Sequence, residues 1–330
     1  MFKTFHPFLP SIARWAASSL AAVSLLAAGS AAAQQDYPSR PIRMVIPYGP
    51  GTGIDAIGRV FAQKLGAELG QAVVVENKAG VAGAIGAEYV TKAPPDGYTL
   101  FFSAGSIFAL NPLLMAKLPY DPFKGFAPIS MVYSQPLVVS ISTKVPAKTL
   151  SEFVALARAK PEGITAGSLG AFHILSAQQL ATATKTKFLN VNYKAGALVA
   201  LMSGELDMMF DVISLMAPQH KGGKIRALAV ASERRMAILP DVPTLAESGY
   251  PGFEISTWTS LSGPPAMPKP IVDKVNAAVI KVVNIPEMQE LAANMGLRVY
   301  SSTPEQVNDM VRNEFNRFQK VALEAGIKPE

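Results

Sequence analysis

Ile42-Arg43-Met44-Val45-Ile46-Pro47-Tyr48-Gly49-Pro50-Gly51-Thr52-Gly53-Ile54-Asp55 runs from a short apolar segment through a Gly/Pro loop straight into a helical pattern. Ile57, Phe61, Leu65 and Leu69 recur every four residues, joined by Val60, and Gly70 follows as a C′ residue. The spacing predicts a strand over 42–46 and a helix over 55–69. A strand–loop–helix of this kind aims unpaired N–H groups and the positive helix end at one spot, which suits an anion. Asp55 reads either as the helix N-cap or as an acceptor for a ligand ammonium or hydroxyl.

What precedes this stretch reads as a secretory leader, 1–33. Lys3 and Arg14 supply a positive start, Trp15 to Ala28 is small, apolar and uncharged, and Ala31-Ala32-Ala33 fits a cleavage site before Gln34. The run is shorter than the roughly 18 residues needed to span a bilayer. With no cysteine in the 330 residues, neither a lipid-modified N-terminus nor disulfides are available. The expected product is a soluble periplasmic protein acting as a monomer. A formal charge of +6 is dispersed without a Lys/Arg block, which argues against nucleic acid and is compatible with an anionic solute.

Outward from the opening stretch, β-like runs alternate with helical ones, the pattern of parallel α/β layers. Further strands are expected at Ala72 to Glu76, Tyr98 to Ser103, Ile164 to Ala166, Leu206 to Phe210 and Ile225 to Val230. Phe126 to Ser142 is β-prone with Pro136 interrupting, as expected for a crossing between domains. A second crossing is expected at Gly252 to Trp258. Thr149-Leu150-Ser151-Glu152 and Thr303-Pro304-Glu305-Gln306 are capping boxes. Pro270 and Pro286 suit first helical positions, and Val307, Met310, Val311, Phe315, Phe318 and Val321 mark the apolar face of a last helix. Two α/β lobes follow, 34–135 plus 253–330 and 136–252, linked by two crossings.

Several motifs compete with the anion reading. Gly51-Thr52-Gly53-Ile54-Asp55-Ala56 fits the G-x-G-x-x-A outline of a dinucleotide loop, with Glu76 ending the next strand. Pro47 and Pro50 remove N–H groups from that loop, Asp55 sets a like charge against a pyrophosphate, and an exported chain rarely meets nicotinamide cofactors. Glycines serving only a tight turn remain an alternative. Ala166-Gly167-Ser168-Leu169-Gly170 is a small-residue variant of a nucleophile elbow, which would make a secreted hydrolase with Ser168, His220 and Asp207 or Asp211. The other reading of this loop is a second N-terminal anion cradle with Ser168 donating a hydroxyl. Neither metal nor cofactor is expected, because the two histidines after the leader lack ligand spacing.

Taken together, these residues resemble the periplasmic solute receptors of tripartite tricarboxylate transporters, the Bug family. Tyr37-Pro38-Ser39-Arg40-Pro41-Ile42 is similar to the family's start, and Pro47 to Asp55 to its proline–aromatic–glycine loop. Glu76 to Gly83, Pro94 to Leu100, Tyr193 to Gly196, Met209 to Asp211, Lys224 to Val230 and Leu239 to Thr244 match in order. The resemblance implies a type II periplasmic binding protein fold, two lobes closing on one small carboxylate that is delivered to permease subunits in the membrane. A ligand-presenting sensory receptor is the other role it allows. Carried over, the site comprises Tyr48, Gly51, Thr52, Gly53 and Asp55 of the first loop and Ser168, Leu169, Gly170, Ala171, Phe172 and His173 of the second. Ser103 and Ser106 after the third strand and Asp211 complete it. Two departures stand out: Thr52 replaces a glycine, and the second loop is shorter, with Leu169 and Phe172 where the family has hydroxyls. Both make the pocket less polar, better suited to an aromatic or branched acid than to citrate.

Overall fold

Ile42–Ile46 forms β1 as predicted, and Arg43 is its only exposed residue. An apolar run buried on both faces belongs at the centre of a parallel sheet. β1 indeed lies between β2 (Val73–Asn77) and β3 (Thr99–Ala104), parallel to both. α1 (Gly53–Leu69) begins two residues before the predicted start, with Thr52 at the N-cap, and ends at Gly70 in the left-handed region. Its buried stripe of Ile57, Phe61 and Leu65 covers the sheet. Gly58 permits the close approach, since a Cβ there would press on Ile46 and Phe102.

The computed structural model describes residues 37–160, 162–169, 171–193, 195–324 and 329. The predicted leader and Gly170 lie outside the described residues. Arg40–Glu330 is one unit. Its remaining strands are β4 (Ala127–Ser142), β5 (Ile164–Ser168), β6 (Phe188–Asn192), β7 (Met208–Val212), β8 (Ile225–Val230), β9 (Ser256–Gly263) and β10 (Arg298–Val299). The helices after α1 are α2 (Ala84–Thr91), α3 (Ser106–Ala109), α4 (Asn111–Leu114), α5 (Leu150–Ala159) and α6 (Ala171–Thr184). They continue with α7 (Ala197–Ser203), α8 (Ile213–Lys221), α9 (Lys269–Val283), α10 (Pro286–Asn294) and α11 (Pro304–Glu324).

β4 organises the whole. Its first half, Ala127 to Pro136, pairs antiparallel with β9 and carries β10 on its other edge. From Leu137 onward it pairs instead with β7 and β8. Pro136 does not interrupt the strand, contrary to the sequence expectation. It has no N–H to give a ladder, and it sits where the chain leaves one sheet for the other. The return crossing is Ile255 to Ser256, held by Leu137 N–H donating to the Ile255 carbonyl at 3.0 Å and Ile255 N–H to that of Ala231 at 3.1 Å. One lobe thus carries β2-β1-β3-β9 with the first half of β4, and the other carries β7-β5-β6 and β8 on its second half. This is the type II binding-protein architecture: two α/β lobes joined by two crossing strands.

The last helices return to the first lobe. Pro286 is the first residue of α10, whereas Pro270 is the second of α9. At the start of α11 the capping box is reciprocal: Thr303 N–H donates to Gln306 Oε1 at 2.9 Å, and Gln306 N–H to Thr303 Oγ1 at 3.3 Å. Met310, expected on the apolar face of α11, is exposed; Glu314 is buried in that face instead. Leu175 of α6 is fully buried against Phe318 of α11 and Leu110, so the lobes also touch through an apolar contact. Among the described residues no helix is long and apolar enough to cross a membrane.

Candidate functional site

The first loop is shaped by one carboxylate. Asp55 is the third helical residue of α1, not its N-cap, and its side chain is 4% exposed. Oδ2 accepts from Gly51 N–H at 2.9 Å and Arg59 Nε at 3.0 Å, while Oδ1 accepts from Asn77 Nδ2 at 2.8 Å and Arg59 Nη2 at 3.0 Å. Arg59 above all, with help from Asn77 and Gly51, holds the carboxyl down at about 2, against the opposing effect of burial. With four donors engaged, Asp55 has no lone pair left for a guest. It fixes the loop, and the Gly51 N–H is consumed in doing so. Thr52 turns its hydroxyl back onto the Gly49 carbonyl at 2.8 Å. The helical ladder starts with Ala56 N–H on the Thr52 carbonyl, which places the N–H groups of Gly53 and Ile54 ahead of it.

Those two residues line a cleft of about 270 Å³ together with Tyr48. Its floor is the crossing strands, through Tyr133, Gln135, Thr257 and Thr259. Met295 and Leu297 add apolar surface. The second lobe contributes Ser214, in the first turn of α8. Two helix N-termini from opposite lobes therefore border one cavity, and none of its described lining residues is charged. Burial raises the Tyr48 hydroxyl above its usual range and that of Tyr133 to about 12, so both stay protonated donors.

A smaller cavity of about 150 Å³ shares Ala104 and Thr257 with the first and continues it toward Ser106, Phe172, Trp258 and Glu314. Tyr48 and Ser106 join the two through hydroxyls 3.3 Å apart. Glu314 accepts from the Trp258 indole N–H and from Arg317 Nη2 at 3.3 Å. Desolvation pushes its carboxyl up to about 7 in spite of both donors.

The family model described as "Tripartite tricarboxylate transporter family receptor" matches residues 57–327. The chain belongs to this receptor family. BugT of Bordetella pertussis (strain Tohama I) is 33% identical over 298 residues, 88% of this chain and 91% of its own. Among solved structures, the periplasmic binding protein BugD superposes with a TM-score of 0.70 at 31% identity, covering 89% of this chain and 100% of BugD. R. palustris Rpa4515 with adipate gives 0.76 at 30% identity, covering 89% of this chain and 100% of that one. The family is one of transporter receptors and BugD a periplasmic binding protein; they are solute-binding proteins, not enzymes.

The second loop of this receptor departs from the expectation. Ser168 is 1% exposed, and its hydroxyl is turned toward β6, 3.4 Å from the Val191 carbonyl and from Asn192 Oδ1. Its hydroxyl therefore faces β6 rather than the cleft. His220, the base of the hydrolase reading, spends Nδ1 on the Ala227 N–H at 3.2 Å. Leu169 is 41% exposed. Ala171 opens α6, and Gly170 lies outside the described residues. Phe172 lines the smaller cavity and stacks edge-on with Phe318 of α11. His173 Nε2 lies 3.2 Å from Asp211 Oδ1, which also accepts from Val212 N–H at 2.7 Å, so Asp211 is engaged within its own lobe. Ser103, also expected in the site, is fully buried on the sheet face it shares with Phe101, opposite Ser260 across the β3–β9 pair. Of the residues expected in the site, Tyr48 and Gly53 line the larger cavity and Ser106 and Phe172 the smaller one. Ser214, the crossing-strand positions Gln135, Thr257 and Thr259, and Glu314 line them without having been expected from sequence. Glu314 alone left a signal: an acid between Val311 and Phe318, at helical spacing in an apolar stripe. Among the described residues no group of three His, Asp or Glu side chains is placed to hold a metal ion.

Proposed function

We propose that this receptor captures a small carboxylate between its lobes in the periplasm, after cleavage of the leader near Ala33, and delivers it as a monomer to membrane permease subunits. The observation that carries the reading is the pairing of helix N-termini: Gly53 and Ile54 of α1 line the same cavity as Ser214 of α8, with no charge among its described lining residues. Each helix end stabilises an anion by roughly 0.3–1 kcal/mol, up to ~2 when partly buried. Neutral donors in fixed positions avoid the desolvation cost of a buried ion pair. Ile54, Met295 and Leu297 supply apolar walls for a carbon skeleton, which favours an aromatic or branched acid. Lobe limits of 34–135 plus 253–330 and 136–252 are supported by the handover at Pro136, and the crossing strands are the hinge.

The test is a thermal-shift screen of mono-, di- and aromatic carboxylates, repeated on Gly53→Phe. Gly53 has negative φ and open space around it, so the ring enters the cleft without straining the backbone. A ligand at 100 Kd stabilises the native state by about 2.7 kcal/mol. The reading predicts that at least one acid raises Tm by several degrees and that Gly53→Phe abolishes the rise. Equal shifts in both proteins would remove this cleft from the site.

A further inference from the structure

Glu314 is an unusual residue to find at the end of such a cleft. Its side chain is 6% exposed, it lies in the apolar stripe of α11, and it lines the 150 Å³ cavity opposite Phe172 of the second lobe. If its task were only to hold the Trp258 indole, a neutral amide would serve at less desolvation cost. Two N–H donors occupy it, from Trp258 and Arg317, out of about four acceptor positions on a carboxylate. Arg317 does not neutralise it fully: its Nη1 is spent on the Glu254 carbonyl at 2.9 Å, and its side chain is 37% exposed. The cavity shares Ala104 and Thr257 with the larger cleft, so a guest held at the α1 N-terminus and long enough to pass these two residues would meet Glu314.

We propose that Glu314 reads the far end of the guest: a hydrogen-bond donor there, hydroxyl or ammonium, is accepted, and a second carboxylate is rejected. The ligand class is then a small monocarboxylate with a distal donor, in contrast to the dicarboxylate of the adipate-bound neighbour. The proposal rests on the carboxylate reading above and adds the identity of the opposite end. A carboxylate brought beside the buried Glu314 carboxylate meets a like charge, whereas a hydroxyl or ammonium fills a vacant acceptor position. The raised proton affinity of Glu314 matches a group already short of compensation.

The test uses two matched series, hexanoate, 6-hydroxyhexanoate and adipate, then benzoate, 4-hydroxybenzoate and terephthalate, titrated at pH 8 into the mature receptor by calorimetry. 6-Aminohexanoate separates ammonium from hydroxyl. At least one series is expected to place the donor-bearing acid tenfold or more ahead of both its plain and its dicarboxylate analogues. Glu314→Gln is expected to erase the discrimination against the dicarboxylate, bringing it within about twofold of the donor-bearing acid. The wild-type ranking needs no variant, so a poorly folding Glu314→Gln does not spare the proposal. It is overturned if the dicarboxylate binds as well as the donor-bearing acid in both series, or if Glu314→Gln leaves the ranking unchanged. If neither series binds but another carboxylate of the thermal-shift panel does, this inference falls and the receptor reading stands. If no carboxylate binds, both fall.

Discussion

Replacing Glu314 with Gln should change how stability depends on pH. The carboxyl titrates near 7 in the folded protein, against a reference of 4.5. A raised acid binds its proton more tightly in the folded than in the unfolded state, so it contributes stability below the unfolded pKa that is lost as pH rises through the folded one. Between pH 5 and pH 8 the linkage relation gives a loss on the order of 2–3 kcal/mol from this one group. The charged or titratable neighbours facing it are Arg317 and Tyr300, and neither changes charge in that window: a guanidinium stays protonated, and burial holds the Tyr300 phenol above its usual range. Urea unfolding followed by far-UV circular dichroism at both pH values, on wild type and Glu314→Gln, isolates the contribution, since all other titrations cancel. The wild type should lose about 2–3 kcal/mol more than the variant over the interval. Parallel pH profiles would refute the claim that this carboxylate is desolvated at the end of the cleft.

Other outcomes follow from the same geometry. Asp55→Ala leaves Gly51, Asn77 and Arg59 without their shared acceptor and should cost about 2–4 kcal/mol of stability, measured by urea titration. Because the Asp55 carboxyl is depressed to about 2, its contribution is present above pH 3.8 and lost as pH falls through 2; the variant should therefore show a shallower acid limb in a pH–Tm profile. Gly105→Ala sets a Cβ into the Trp258 indole and should destabilise by about 1–3 kcal/mol and alter the emission of this tryptophan, the only one after the predicted leader. Thr149→Ala removes the acceptor for Glu152 N–H at the start of α5 and should cost about 1 kcal/mol without touching ligand affinity.

The fold was legible because its signals are local. β1 and β8 have the limits that their apolar runs predict, Gly70 ends α1 in the left-handed conformation, and Thr149 and Thr303 both cap their helices by accepting from the N–H three residues on. Pro136 was read as a break because sequence shows a missing N–H but not that a strand can change partners at that residue. The site was less legible, because it is assembled from segments that meet only in three dimensions. Tyr48 and Gly53 sit beside an obvious helix start, whereas Ser214 follows a plain strand and carries no motif. Ser168 and Ser103 looked like donors by residue type, yet strand alternation turns one toward β6 and the other into the sheet interior. Asp55 shows the same limit: the sequence places it at a helix start, but its three partners, Gly51, Arg59 and Asn77, which decide its role in the loop, are 4 and 22 residues away.

A crystal structure of the receptor without residues 1–33 and with a bound carboxylate decides whether main-chain amides of both lobes hold the guest. Its carboxylate is expected within about 3 Å of the Gly53 or Ile54 N–H and of a donor at the start of α8, spanning both lobes. A guest held by one lobe alone, or a carboxylate neutralised by Lys or Arg outside this cleft, would contradict that arrangement.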